Sequence, residues 1–123
     1  MRYMVLLRMS ESVGPPPQAL VEAMDTAMSA AFAAGSMVDA GGLAPMARSV
    51  EVSLRRGSVL TVDGPYSEVK EVIGGYAVLE VDSAEEAVEG ARRMIELHQR
   101  HWPGWEGAAE VRRISGPDEG PPA

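Results

Sequence analysis

The chain has 123 residues, enough for one domain that removes roughly two thirds of its unfolded surface from water. Its 18 acidic against 11 basic side chains give a formal charge of −7, which repels phosphate backbones and anionic lipid and argues against nucleic-acid and membrane partners. The absence of Cys removes disulfides, thiol nucleophiles and thiolate metal sites, and no apolar run approaches the roughly 18 residues that span a bilayer, so a cytoplasmic protein is expected.

The first predicted strand is RYMVLLRM, Arg2 to Met9, which ends at SESVGPPP because three consecutive prolines suit neither a strand nor a helix interior. Its faces, Tyr3, Val5, Leu7 and Met9 on one side and Met4, Leu6 and Arg8 on the other, are both largely apolar and both call for cover. From Gln18 to Ala34, Leu20, Met24, Ala27, Met28 and Ala31 recur at helical spacing, and Gly35 stands where a left-handed cap belongs. SMVDAGGLAP reads as a strand that loosens at Gly41 and Gly42. SVEVSLRRGSVLTVDGP reads as a hairpin turning at Arg56 and Gly57, with Val50, Val52 and Leu54 alternating against Glu51, Ser53 and Arg55.

GYAVLEVD is a further strand, apolar on both faces, and Ser83 with Glu86 forms the capping box that opens a second helix over about Ala84 to Arg100. Ala84, Ala87, Val88, Ala91, Met94 and Ile95 make its apolar stripe, and Glu89 with Arg93 is a favourably ordered pair four residues apart. After the breaker WPGW, AAEVRRI is the last strand, and SGPDEGPPA has nothing to pack with. One domain over residues 1–115 and a disordered tail over 116–123 are expected.

The order β, α, β, hairpin, β, α, β predicts an α+β, ferredoxin-like sandwich. Two helices shelter one face of its sheet. The apolar second face most simply meets its copy in another subunit, giving a homodimer in the form of a dimeric α+β barrel.

DGPYSEVKEVIGGY, Asp63 to Tyr76, is the stretch most like a signature. Asp63 suits an Asx turn, Gly64 permits positive φ and Pro65 fixes φ, while SEVKEV has room for one or two helical turns before Gly74 and Gly75 stop them. Taken alone, its Glu68, Lys70 and Glu71 read as a solvated ion cluster in a connection. His98 and His101 continue the buried stripe of the second helix; imidazole there suits a general base, but two histidines lack a third metal ligand, and no metal or cofactor is expected. Trp102 and Trp105 wall a pocket or lid the core. AGGLAP lacks the lysine and spacing of a phosphate cradle.

DGPYSEVKE followed by GGYAVLEVDSAEEAVE resembles the YCII-related, or DGPF-domain, family, and the likeness extends upstream to AGGLAP and downstream to AEVRRI. Tyr66 stands where that family usually has Phe. The resemblance implies a dimeric α+β barrel with a cavity near the DGPY loop, an enzymatic role, and in some relatives an association with sigma factors. A His–Asp pair implied for one branch does not carry over, because Pro15 to Met28 contains no His.

Two expectations follow. In the first, a small-molecule enzyme uses Asp63 or Glu71 as acid or base, Lys70 to hold an anionic group, and His98 or His101 to relay a proton, with Tyr66, Glu68 and Trp102 as further ligand-binding positions. In the second, a non-catalytic dimer senses a ligand or assists a sigma factor or another protein by contact.

Overall fold

The computed structural model describes residues 1–64 and 71–121, the Glu11 side chain excepted. Six strands and two α-helices follow one another as β1 (Arg2–Met9), α1 (Gln18–Ala34), β2 (Met37–Gly42), β3 (Val50–Arg55), β4 (Ser58–Asp63), β5 (Val72–Glu80), α2 (Ala84–His101) and β6 (Gly107–Ile114). Short 3-10 turns at Glu11–Val13 and Met46–Arg48 fill two of the connections. The main sheet has the order β2-β5-β1-β6 with every neighbouring pair antiparallel, the arrangement of a ferredoxin-like α+β fold. No helix among the described residues is long and apolar enough to cross a membrane.

Alternation along the strands decides which side is the core. Tyr3, Val5 and Leu7 of β1 and Ala77 and Leu79 of β5 are buried on the face that meets Ala87 and Ala91 of α2, with Met37, Ala40, Met94, Ala109 and Val111 packed around them. The intervening residues Met4, Leu6, Tyr76 and Val78 are half-buried and share the opposite face, which neither helix covers. β1 and β5 therefore present side chains of both faces, as their composition predicts.

Local chemistry fixes the helix ends. Gly35 takes φ of 80° after α1, and the N–H groups of Gly35 and Ser36 reach back to the Phe32 and Ala31 carbonyls at 3.1 and 3.0 Å. At the start of α2, Ser83 Oγ accepts from the Glu86 N–H at 3.2 Å, while the Glu86 carboxylate accepts from the Asp82 N–H, one residue earlier than in a strict capping box. Glu89 pairs with Arg92, three residues on, at 3.6 Å rather than with Arg93, whose guanidinium instead folds back beside Gly90.

Two readings of the motif need correction. Gly74 and Gly75 end no helix: the strand already begins at Val72, and both glycines lie inside β5, where the pairing with β1 shifts register beside Gly74. Gly64 has no positive φ; it is required because a side chain there would collide with the Met46 carbonyl and with Ser49. The segment between them, Pro65 to Lys70, lies outside the described residues and takes Tyr66, Glu68 and Lys70 with it.

β3 and β4 form a separate two-stranded ribbon with strict register, Val50 opposite Asp63 and Leu54 opposite Val59. Arg56 and Gly57 close it with φ of 50° and 81°, the left-handed pair of a tight hairpin turn.

Candidate functional site

The helix-facing side of the sheet is closed tightly only under α2. Beneath α1 a cleft of about 780 Å³ opens between the two helices and the sheet, within the range of small-molecule sites. Its walls come from the apolar stripe that α1 presents, Leu20, Met24, Ala27, Met28 and Ala31, facing Val5, Leu7 and Leu79 of the sheet. Of that α1 stripe only Leu20 is fully buried. The spacing that marks these residues as inward-facing is right, but most of them look into space rather than onto a partner.

Five of the eight methionines, Met9, Met24, Met28, Met37 and Met94, line the cleft. Their unbranched thioethers adapt to irregular shapes and make favourable contacts with aromatic rings. The charged residues on the lining, Asp25, Glu86 and Glu96 against Arg93 and Arg100, are all exposed and of both signs, so the mouth favours neither anions nor cations. The interior selects for apolar surface.

Among the described lining residues, His98 is the buried polar side chain. His98 lines the cleft and is only 3% exposed, because Met94, one turn earlier on α2, sets that face against the sheet. Its Nδ1 lies 2.8 Å from the Met94 carbonyl oxygen. A carbonyl only accepts, so Nδ1 carries the proton and, in the neutral ring, Nε2 keeps a lone pair. The Trp105 ring packs on the imidazole at 4.4 Å and Trp102 stacks at 6.4 Å with an interplanar angle of 21°. These rings fix the imidazole plane, and Trp102 also lines the cleft. Trp105 Nε1 is buried with no partner among the described residues.

The other expected site residues that are described, Asp63, Glu71 and His101, are dispersed. Asp63 ends β4 and is exposed, Glu71 is exposed just before β5, and neither lines the cleft. His101 closes α2, half-buried and outside the lining. Among the described residues no group of three or more His, Cys, Asp or Glu gathers as a metal site. Of the five described positions among those named from the sequence, the cleft brings together His98 and Trp102.

On the opposite face, the Tyr76 hydroxyl donates to Asp39 Oδ2 at 3.2 Å across the β2–β5 pairing. The Asp39 charge, then the hydrogen bond, then burial raise the Tyr76 phenol above its ordinary value. Thirty-seven residues separate the two partners, and nothing in either local sequence announces the pair.

Among known families, residues 1–99 match the YCII-related domain. Comparison with curated proteins gives no match.

Proposed function

The chain belongs to the YCII-related domain family, and on that footing we propose that it binds a compact, uncharged, largely apolar molecule in the helix-side cleft, with His98 as the polar anchor. The observation that carries this reading is a nearly buried imidazole whose Nδ1 proton is committed to Met94, leaving Nε2 as an acceptor in an otherwise apolar enclosure. Such a nitrogen accepts a hydrogen bond from a ligand hydroxyl, and in a catalytic form of the protein it takes that proton as general base. Trp102 supplies a flat apolar wall beside it. In this reading Asp63 and Glu71 stand apart from the chemistry, because both are exposed and off the cleft lining.

The functional unit proposed here is a homodimer in which the uncovered sheet faces, Met4, Leu6, Tyr76 and Val78, pack together as a dimeric α+β barrel. A ligand-sensing accessory protein, in contact with a sigma factor or another partner, is the second reading. It is favoured by the lining's one buried polar side chain among the described residues, His98, which is enough to hold a ligand without turning it over.

The test compares 2-naphthol with 2-methoxynaphthalene by quenching of the Trp102 and Trp105 fluorescence. Wild type should bind the naphthol more tightly by about tenfold, the worth of one buried hydrogen bond. His98→Phe should bind both alike. Failure of both compounds to saturate the wild-type protein would remove the cleft as a ligand site, and an undiminished naphthol preference in His98→Phe would remove His98 as its anchor.

A further inference from the structure

The β3–β4 ribbon carries apolar side chains that no described part of the chain shelters. In its register, Val50 with Asp63, Val52 with Thr61 and Leu54 with Val59 share one face. On that face Val50, Val52, Leu54 and Val59 are 56%, 65%, 69% and 72% exposed. A two-stranded hairpin is marginal in water unless one face packs on something. The two ends of the ribbon are tied together. The Gly64 N–H donates to the Ser49 carbonyl at 2.7 Å, the Ser49 hydroxyl donates to the Met46 carbonyl at 2.6 Å, and the close approach of Gly64 to Met46 excludes any side chain there. Among the described residues nothing covers the apolar face, and a second copy of the chain is the cover argued for below.

The distribution of charge along the ribbon indicates what that cover is. Reading the apolar face from base to tip gives Asp63 beside Val50, then Val52 and Thr61, then Leu54 and Val59, then the turn residue Arg56. An anion stands at one end, a cation at the other, and aliphatic side chains between them. Turned end for end by a two-fold rotation, such a surface is complementary to itself: the aliphatic centres meet, and each Arg56 faces the Asp63 of the other ribbon. We propose that this ribbon is a self-association arm that packs face to face and antiparallel on the ribbon of a second copy of the chain, with the two-fold axis between the Val52–Thr61 and Leu54–Val59 levels. A stable interface needs about 800 Å² from each partner, more than one narrow ribbon face offers. The arm therefore reinforces the sheet-face dimer proposed above instead of replacing it.

Sedimentation equilibrium on the full chain tests the arm. Leu54→Lys should weaken self-association by about tenfold or more while leaving the melting curve of the dilute protein unchanged, because this exposed side chain supports nothing in the body. Arg56→Asp, a residue type that tolerates the left-handed turn position, and Asp63→Arg should each weaken association, and the double exchange should restore it. Since the chain has no Cys, a mixture of Val52→Cys and Leu54→Cys chains gives a clean second readout: mild oxidation should yield a covalent dimer of the two, whereas Ser58→Cys on the opposite face should yield none. Equal self-association of wild type, Leu54→Lys and both charge reversals would overturn the arm, as would a monomeric wild type. Val78→Lys separates the two dimer readings: if it alone dissociates the protein, the sheet-face dimer stands and the arm falls.

Discussion

α1 and α2 are nearly equal in length, at 17 and 18 residues, and lie on the same side of one sheet, yet they use that side in opposite ways. α2 meets the sheet through Ala87, Gly90 and Ala91, small enough that a β-carbon added at Gly90 would stand 3.3 Å from a Leu79 methyl. α1 is anchored by Leu20 near its first turn and then stands off, with Met24 and Met28 reaching across the gap. The difference separates two jobs. Close contact of small residues makes α2 the stabilising helix, and long flexible side chains over a void make α1 the adaptable wall of a binding site.

Substitutions on the two sides should diverge accordingly. The largest effect is expected from Leu79→Ala: this side chain touches the cleft at one edge, but it is buried in the core cluster with Ala87 and Ala91, and its loss should cost about 2–5 kcal/mol by urea denaturation. Met24→Ala on the cleft wall removes a similar volume but should cost less than about 1 kcal/mol, since that side chain already borders open space. Adding bulk sharpens the contrast. Ala87→Leu, at a fully buried position off the cleft lining, should lose about 1–3 kcal/mol through overpacking, whereas Ala27→Leu should leave stability nearly unchanged and lower affinity for an apolar probe by filling the cleft.

A smaller difference lies at the helix N-termini. Ser83→Ala removes the side-chain cap of α2 and should cost about 0.5–2 kcal/mol, while Pro17, which precedes α1, offers no side-chain cap to lose. The smallest effect concerns the outer face of the sheet. With its phenol raised above 10.0 by Asp39, Tyr76 holds its proton more tightly folded than unfolded. Its contribution to stability is thus complete below the ordinary tyrosine value and is lost as pH rises through the folded one. Ultraviolet titration should show one phenol ionising late in wild type and moving back toward its ordinary range in Asp39→Asn.

Much of the frame was legible because it rests on local rules. Apolar residues at both faces of Tyr3 to Met9, helical spacing from Leu20 to Ala31, Gly35, Ser83 with Glu86, and the Arg56–Gly57 turn each point to the element that forms there. The cleft was not legible for a physical reason. Periodicity reports which side of α1 points inward, and it is silent on how far the helix stands from the sheet. His98 was readable, since its four-residue offset from Met94 continues a buried stripe. Trp105 against His98 and Tyr76 against Asp39 were not, because each contact joins different parts of the fold. At Gly64 the turn was recognised and its cause mistaken: a neighbouring carbonyl, and not a positive φ, makes glycine necessary.

The methionines offer the most direct test of the cleft, since five line it while Met1, Met4 and Met46 lie elsewhere. With carbon-13 methyl labels on all eight, titration with 2-naphthol should shift the signals of Met9, Met24, Met28, Met37 and Met94 along one saturable curve and leave the other three unmoved. Shifts centred on Met4, on the far side of the sheet, or silent cleft methyls at saturating probe, would contradict the account.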